Sequence, residues 1–259
     1  SGYRIRGRAE ESGSVMALVA VSTDERAAST TRVSRTVAIG VKRVLDVVAA
    51  VLALVVLVPV FLVVAATIAL VDGRPVFFSQ TRIGRRGKPF TMYKFRTMGV
   101  DADAEKSALH LANERTGPLF KLSDDPRITR SGRLLRRTSL DELPQFFNIL
   151  RGDMSLVGPR PALPSEVAQF PPALRRREEM PQGLTGLWQL DGRTDADFGK
   201  YTELDLRYVD EWSLGLDLKL VVRTPAVLLR HAWASRTVDV QPTRTEAVLA
   251  LGDGNDDVT

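Results

Sequence analysis

The sequence predicts an α+β protein, mainly helical, that enters a membrane from one side only. We expect a monotopic membrane protein with a kinked re-entrant membrane helix, interfacial amphipathic helices and a small β-hairpin. Three observations support this fold class. Residues 47–71 carry no charge, basic residues flank that stretch on both sides, and two β-rich stretches follow at residues 76–83 and 90–98.

The uncharged stretch at residues 47–71 is long enough to cross a bilayer, since a spanning helix needs roughly 20 apolar residues. Pro59 lies at its midpoint, where proline removes a backbone hydrogen bond and kinks a helix. Basic residues occur before and after the stretch: Arg32, Arg35, Lys42 and Arg43, then Arg74, Arg82, Arg85, Arg86 and Lys88. Lys and Arg near membrane ends mark the cytoplasmic side. A straight span and a re-entrant helix both stay open, and the flanking charges favour the re-entrant helix.

Changes in composition divide the chain into four parts. Residues 1–36 form an N-terminal segment, whose residues 1–15 are polar, begin with Ser and are a candidate non-native remnant. Residues 37–72 contain the predicted membrane helix. Residues 73–240 form a cytoplasmic domain with interfacial helices. Residues 241–259 end in an acidic stretch that we expect to be a disordered tail.

A β-hairpin is the first element predicted after the membrane segment. Strand-forming residues at 76–83 and 90–98 are separated by the turn-forming sequence GRRGK at residues 84–88. This turn is not a phosphate-binding P-loop, because its spacing is short and Pro89 stands where Ser or Thr is needed.

Two adjacent carboxylates, Asp141 and Glu142, lie in the sequence SLDELPQ at residues 139–145. Proline is tolerated only in the first turn of a helix, and Asp141 as the N-cap places Pro144 in that turn. A capping box formed by Ser139 and Glu142 would begin the helix two residues earlier. In both arrangements the carboxylates lie at the positive end of a helix dipole, which attracts phosphate.

Further helices are predicted at residues 101–113, at the short basic stretch 132–137 and at residues 162–180. Tyr201, Leu204 and Tyr208 then recur at helical spacing, which predicts another helix. The apolar stretch at residues 214–229 is either an interfacial helix lying on a bilayer or an ordinary buried helix. A loop around a short strand is expected at residues 183–193. Before these segments, a proline on each side of Arg160 stiffens a turn and restricts the direction of its guanidinium.

The composition limits the available chemistry. With no Cys, the chain has no disulfide, no Cys-metal site and no Cys nucleophile. Its two His residues, His110 and His231, lie far from the carboxylates in sequence, so we expect neither a Ser-His-Asp triad nor a multi-His zinc site. The formal net charge of +5 favours polyanionic partners: nucleic acid, anionic lipid head groups or nucleotide phosphates. A nucleic-acid-binding module has no further support, because no basic run is interleaved with stacking aromatic residues.

Five motifs, in this order, resemble those of the bacterial sugar transferases, the monotopic phosphoglycosyl transferases that load a sugar phosphate onto a polyprenyl phosphate. They are KRVLD at residues 42–46, YKFRTM at 93–98, SLDELPQ at 139–145, GDMSLVGPRP at 152–161 and TGLWQ…GR at 185–193. The similarity runs from about residue 42 to residue 229. One departure is that the family commonly breaks its re-entrant helix at a Ser-Pro pair, whereas this chain has Val58 before Pro59.

The resemblance implies a two-step reaction on a UDP-sugar. Asp141 would attack the β-phosphate, release UMP and carry the phosphosugar until polyprenyl phosphate takes it. Asp141 and Glu142 are the implied catalytic residues and the implied ligands of Mg²⁺, a hard, oxygen-seeking cation. The residues implied to bind phosphate or nucleotide are Lys94, Arg136, Arg160 and Arg193.

The resemblance also implies partners and a location. The partners are a UDP-sugar, polyprenyl (undecaprenyl) phosphate and an anionic membrane, without nucleic acid, and a homodimer stays open. The location is the cytoplasmic face of the bacterial inner membrane. Trp188 and the sequence WSL at residues 212–214 resemble the branch that transfers a hexose-1-phosphate. A catalytically idle scaffold is the alternative, against which the intact pair of Asp141 and Glu142 argues.

Overall fold

The computed structural model describes residues 9–105, 109–192 and 195–238, and these are mainly helical with two small two-stranded sheets. The α-helices are α1 (Ala9–Thr67), α2 (Ala102–Glu105), α3 (Arg130–Thr138), α4 (Gln145–Arg151), α5 (Pro164–Val167), α6 (Phe198–Glu211) and α7 (Leu214–Val238). The strands are β1 (Phe77–Ile83), β2 (Pro89–Phe95), β3 (Ser155–Val157) and β4 (Gly183–Thr185). Short 3₁₀ segments lie at Arg85–Gly87, His110–Ala112, Leu140–Glu142 and Pro172–Glu179, and π-helical turns at Ile68–Asp72 and Trp188–Gly192.

The chain divides into two compact units, Ser1–Leu45 and Asp46–Thr259, at a point inside α1. In the first unit the described structure is the N-terminal part of α1. The second unit contains both sheets and the remaining helices. The predicted acidic tail at residues 241–259 and most of the candidate remnant at residues 1–15 lie outside the described residues.

A membrane-length apolar helix is present, as predicted. Among the residues that the structure describes, Arg35–Asp72 is the one stretch long and apolar enough to cross a membrane, with a mean hydropathy of 3.3 in its most apolar part. The helix continues through Pro59, and large side chains such as Val56 and Leu62 are 72% and 66% exposed. Exposed apolar surface of this extent is typical of membrane contact. The re-entrant topology stays a prediction.

The predicted β-hairpin is confirmed. β1 and β2 pair in antiparallel register, with Phe78 opposite Lys94 and Arg82 opposite Phe90. Because side chains alternate between the two faces of a strand, Phe78, Arg82 and Lys94 share one face of the hairpin. In the connecting turn the Gly84 N–H donates to the Lys88 carbonyl at 2.8 Å.

The second sheet joins two distant motifs through a close approach of their backbones. β3 and β4 pair in parallel, with Ser155 opposite Gly183 and Val157 opposite Thr185. Immediately after β3, a Cβ on Gly158 would lie 2.1 Å from the Pro181 carbonyl oxygen. Only glycine fits there. The turn that follows Gly158 is therefore held directly against the segment that leads into β4.

The main core lies between α6, α7 and the segments around them. The predicted helix through Tyr201, Leu204 and Tyr208 is confirmed as α6, whose N-cap Asp197 accepts from the Gly199 and Lys200 N–H groups. Tyr208 is 1% exposed, and its hydroxyl donates to Asp217 at 2.7 Å. α6 therefore packs tightly onto the start of α7.

α7 has one buried face and one exposed face over residues 214–229, so it is not the fully buried helix that the sequence left open as an alternative. Leu220 and Val227 are buried in the core, whereas Leu218, Val222 and Leu229 are at least 65% exposed. One face thus belongs to the core, and an apolar stripe faces outward. A helix with such a stripe suits a position at a bilayer surface, and that interfacial position stays a prediction.

Two predicted helices differ from the structure. The prediction for residues 162–180 was wrong, because α5 ends at Val167 and a separate 3₁₀ segment begins at Pro172. Pro171 and Pro172 lack the N–H groups that a continuous helix would need. Residues 101–113 contain only short helical pieces among the described residues, whereas the predicted helix at 132–137 is confirmed as α3.

Candidate active site

The two adjacent carboxylates lie on a sharp connection rather than at a helix cap. Asp141 and Glu142 belong to the 3₁₀ segment Leu140–Glu142, which follows Ser139 in the left-handed region at φ 56°. Ser139 makes no capping bond through its side chain, and the N-cap of α4 is Pro144. Both predicted caps, Asp141 and the Ser139–Glu142 box, were therefore wrong. The chain reverses at Ser139 and forms an extra tight turn before α4 can start.

Lys94 of β2 faces both carboxylates. Its Nζ donates to Glu142 Oε1 at 2.8 Å and lies 3.9 Å from Asp141 Oδ2. The side chains of Lys94, Asp141 and Glu142 are 17%, 9% and 20% exposed. Charge–charge attraction is stronger in such a partly desolvated place than in water. One ammonium group therefore contributes positive charge to both acids.

A buried amide fixes Lys94 relative to the carboxylates. Asn148 of α4 is fully buried. Its Oδ1 accepts from the Tyr93 N–H at 3.1 Å, and its Nδ2 donates to the Thr91 carbonyl at 2.7 Å. Asn148 thereby completes the hydrogen bonding of β2 and ties this strand to α4. Lys94, the next residue along β2, is held beside the start of the same helix.

Arg160 approaches the carboxylates from the turn after β3. Its Nη1 lies 4.0 Å from Glu142 Oε1, and its side chain is 41% exposed. The Gly158 N–H donates to the Thr185 carbonyl at 2.9 Å, and the Gly183 N–H donates to the Pro159 carbonyl at 2.8 Å. The prolines on either side of Arg160 cannot donate, so backbone bonds at the neighbouring glycines hold the turn.

Arg136 enters from the last turn of α3. Its Nε donates to Thr97 Oγ1 at 2.9 Å. Burial lowers the pKa of Arg136 below its usual range, and the charge of Asp141 opposes that shift. α3 can approach Thr97 closely because Gly132 carries no side chain, and a Cβ there would lie 2.2 Å from the Thr97 carbonyl oxygen.

These groups line one open cleft of about 620 Å³. Its described walls carry nine Lys or Arg and four Asp or Glu side chains, so the cleft is positively charged. The structure brings five predicted site residues to it: Lys94, Arg136, Asp141, Glu142 and Arg160. Their individual roles stay predictions. Arg193 lies outside the described residues.

The sequence analysis missed several residues of this cleft. Arg82 of β1 lines it, and Arg115 places its guanidinium 5.0 Å from the centre of the Trp188 ring. Burial, followed by repulsion from Arg160, lowers the pKa of Arg82 to about 10. The alternation of the hairpin could have revealed Arg82, since it shares a face with Lys94. His231, distant in sequence, also lines the cleft, and no sequence pattern indicated that.

The membrane-length helix packs directly beneath the carboxylates. Val64 and Ile68, near the end of the helix, form a buried cluster with Phe95 and Leu135. Leu140 and Leu143, which flank the acid pair, pack against this cluster. The Phe61 ring also lies 5.0 Å from Phe95, centre to centre. The end of the apolar helix, from Phe61 to Ile68, and the charged cleft are therefore parts of one packed structure.

The donor set at the cleft suits a metal that shares its ligands with a substrate. Within the described part of the chain, no group of three or more Asp, Glu, His or Cys side chains could hold a metal ion. Mg²⁺, however, is commonly bound by one or two carboxylates together with water and substrate phosphates. Asp141 and Glu142 fit that arrangement, with Lys94 engaging one oxygen of Glu142.

The fold and the cleft define a protein that joins a membrane-length apolar helix to a cationic pocket built around two carboxylates. The sequence profile of the family described as bacterial sugar transferase matches residues 37–231. The chain therefore belongs to the bacterial sugar transferase family, as the five motifs predicted.

Curated relatives agree with this assignment. The chain is 46% identical over 191 residues to the galactosyl transferase CpsE of Streptococcus agalactiae, and this match covers 73% of the chain and 42% of CpsE. It is 43% identical over 193 residues to the exopolysaccharide production protein ExoY of Sinorhizobium fredii, covering 73% and 85%. It is 39% identical over 191 residues to the UDP-glucose:undecaprenyl-phosphate glucose-1-phosphate transferase of Escherichia coli, covering 71% and 39%. The chain thus matches most of ExoY but less than half of the other two proteins.

Proposed function

We propose that the protein is a polyprenyl-phosphate glycosyl-1-phosphate transferase that uses a UDP-sugar and undecaprenyl phosphate. The observation that supports this most is that Asp141 and Glu142 lie within 4.0 Å of Lys94 or Arg160, in a cleft with excess positive charge. Attack of a carboxylate on a diphosphate needs this combination, because two anions must approach each other. The names of the Escherichia coli and Streptococcus relatives, a glucose-1-phosphate transferase and a galactosyl transferase, support the same reaction class.

In the proposed first step, a carboxylate oxygen of Asp141 forms a bond to the β-phosphorus of the UDP-sugar. The bond from that phosphorus to the oxygen bridging the two phosphates breaks, and UMP leaves with the electron pair. Lys94, Arg136 and Arg160 offset the negative charge on the phosphate oxygens. Positioning and such electrostatic stabilisation dominate phosphoryl transfer.

In the proposed second step, a phosphate oxygen of the polyprenyl phosphate attacks the phosphorus carried by Asp141. The bond between that phosphorus and the Asp141 oxygen breaks, which restores the carboxylate and releases a polyprenyl-diphosphate sugar. The packing of Leu140 and Leu143 against Val64 and Ile68 supports this step. An acceptor dissolved in lipid would meet the acid pair where the apolar helix ends.

Asp141 and Glu142 hold Mg²⁺ in this proposal. When bound, the ion supplies further neutralisation of the phosphate oxygens. Glu142 lies within 4.0 Å of both Lys94 and Arg160. We assign it the task of orienting these cations and the incoming phosphate around Asp141.

The proposed location is the cytoplasmic face of the bacterial inner membrane, with Arg35–Asp72 re-entrant and its basic flanks on anionic lipid. Cysteine labels near Arg35 and Arg74 test this topology, because the chain contains no Cys of its own. Both labels should react only from the cytoplasmic side in oriented membranes. Reaction from opposite sides would replace the re-entrant helix with a straight span.

The covalent step is tested by the mass of the intact protein after incubation with a UDP-hexose and Mg²⁺ but without lipid acceptor. A sugar-phosphate adduct should map to Asp141, and Asp141→Asn should release no UMP. The exposed Asp101→Asn is the matched control and should react like the wild type. UMP release by Asp141→Asn at the wild-type rate would remove the covalent role. A panel of UDP-sugars that all fail would favour the idle scaffold.

A further inference from the structure

The backbone of the Arg160 turn is held by two arginines, one buried and one partly buried. Nη2 of Arg177 donates to the Arg160 carbonyl. Nη1 of Arg82 donates to the next carbonyl, that of Pro161, at 3.1 Å. Pro159 and Pro161 offer no N–H groups. Side chains from distant segments therefore donate hydrogen bonds to two consecutive carbonyls of the turn.

Arg177 is itself fixed by a carboxylate and by aromatic rings. Its Nε and Nη2 lie 2.9 Å and 2.8 Å from Asp205 Oδ2, and both side chains are only 2% exposed. Its guanidinium also lies 5.4 Å and 5.3 Å from the ring centres of Phe170 and Tyr201. An arginine held on all sides in this way has little freedom, so the carbonyl that it binds has little freedom either.

Arg82, which holds the Pro161 carbonyl, is more exposed than Arg177. Its Nη1 lies 3.9 Å from Glu166 Oε2, and its Nη2 donates to Gln80 Oε1 at 2.7 Å. Glu166 in turn accepts from the Leu163 N–H at 2.7 Å, at the start of α5. Arg177 contacts the turn from the buried core and Arg82 contacts it from the wall of the cleft, whereas the Arg160 side chain extends toward Glu142.

We infer that Arg177 and Asp205 are positioning residues for Arg160: they clamp its carbonyl from inside the protein so that its guanidinium stays aimed at the phosphate-binding cleft. This inference rests on the proposed function, because Arg160 is there a phosphate ligand. Arg177 and Asp205 contact neither substrate nor cleft in this assignment. They act only through the Arg160 backbone.

The test replaces the buried pair with apolar residues, Arg177→Met together with Asp205→Leu. Such a replacement keeps the volume and leaves no charge unpaired, and buried ion pairs often tolerate it. We expect kcat/KM for UMP release to fall on the order of 10²-fold, since a small misplacement of a binding group has that effect. The matched control is the exposed pair Arg176 and Asp210, which joins the same two elements. Arg176→Met with Asp210→Leu should leave kcat/KM unchanged.

Coupling to Arg160 separates positioning from general damage. In an Arg160→Ala background the buried-pair replacement should cause no further loss, because its target is already gone. Losses that multiply would overturn the inference. If Arg177→Met with Asp205→Leu does not fold, Arg177→Lys provides the test. An ammonium group cannot bind Asp205 and the Arg160 carbonyl at once as the guanidinium does. Arg177→Lys should lose activity in the wild type and lose nothing more with Arg160→Ala.

A second measurement keeps this inference separate from the proposed reaction. Pyrophosphate should raise the melting temperature of the full-length protein in detergent, and both Arg160→Ala and the paired replacement should abolish that rise. If the wild type releases no UMP while this pattern holds, the reaction is wrong and the positioning role stands. If UMP is released but the paired variant behaves like its exposed control in both assays, the positioning role is wrong.

Discussion

The Arg160 turn separates two sets of charged groups, which differ in burial and in the distance between their opposite charges. On the cleft side, the side chains of Lys94, Glu142 and Arg160 are 17%, 20% and 41% exposed, and Arg160 stays 4.0 Å from Glu142. On the core side, Arg177 and Asp205 are 2% exposed and lie 2.8 Å apart. We call these the cleft-side set and the core-side pair.

The difference shows where added charge can be accommodated. The core-side pair is closed, because its charges are matched at short range and solvent is excluded. The described ion pairs of the cleft-side set include a short one, from Lys94 to Glu142, and longer ones, and the cleft around them carries excess positive charge. Buried charge is costly unless it is paired. The excess positive charge of the cleft wall is therefore what the proposed function uses to bind a phosphate.

The largest expected effect comes from breaking the core-side pair on one side only. Asp205→Asn leaves the charge of Arg177 buried without its counter-ion, which typically costs about 3–5 kcal/mol of stability. Denaturant unfolding in detergent measures this loss. Glu142→Gln, in the cleft-side set, should cost about 1 kcal/mol or less, as expected of partly exposed pairs. Equal losses in the two variants would erase the distinction between the sets.

A loss of activity without a comparable loss of stability is expected for Lys94→Met. Removing one preorganised cation or donor from a reacting phosphate typically lowers kcat on the order of 10²–10³-fold. UMP release and thermal unfolding, measured on the same preparation, test this. Lys200→Met, which removes an exposed surface pair with Glu203, is the control and should change neither quantity. A Lys94→Met protein with normal turnover would take Lys94 out of the proposed chemistry.

An intermediate effect is expected at Asn148, a neutral group beneath the cleft-side set. Asn148→Leu leaves the Tyr93 N–H and the Thr91 carbonyl without their partner, and each unsatisfied buried group costs about 1–3 kcal/mol. Activity should fall as well, because β2 carries Lys94. Gln169→Leu, which removes an exposed side-chain hydrogen bond, should be silent in both assays. Normal stability of Asn148→Leu would contradict the role given to this amide.

The smallest expected effect is on stability at acid pH and comes from the pair Asp125 and Arg127. This pair lines the cleft, but like the core-side pair it is buried and matched at short range. The hydrogen bond from the Arg127 side chain, 2.7 Å long, holds the pKa of Asp125 below its ordinary 3.8. The unfolded chain therefore binds the proton first, and the contribution to stability is full well above pH 3.8. It is lost as the pH falls through the lower pKa of the folded state.

Melting temperatures of the wild type and Asp125→Asn between pH 7 and pH 3 measure that contribution. The wild type should be the more stable protein at pH 7, and the difference should shrink as the pH falls below about 4. A difference that stays constant over the whole range would show that Asp125 contributes through packing instead.

Much of the local structure was predictable because short-range rules govern it. The hairpin followed from strand-forming residues around a glycine-rich turn, and α6 from the spacing of Tyr201, Leu204 and Tyr208. The predictions failed where several local rules competed. Asp141 was a reasonable cap by residue type, yet the left-handed Ser139 diverts the chain first. Residues 162–180 were predicted to be one helix, but the two adjacent prolines, Pro171 and Pro172, end the helical hydrogen bonding.

In the candidate site, too, some residues were predictable from the sequence and others were not. The motifs indicated Lys94, Arg136, Asp141, Glu142 and Arg160, and all five line one cleft. They did not indicate Arg82, Arg177 or Asp205. Arg82 and Arg177 donate to the backbone of a distant turn, and Asp205 pairs with Arg177. Such contacts between distant segments leave no periodic pattern in the sequence.

Local sequence patterns alone therefore predicted the apolar membrane-length helix, the hairpin, the family and the charged residues that the fold brings to one cleft. Apolar runs, strand alternation and fixed motifs are properties of neighbouring residues and need no knowledge of the fold. Packing in three dimensions alone decided which charges are closed and which stay open to the cleft. That outcome depends on burial and on distances between segments far apart in the chain, and only the folded chain fixes both.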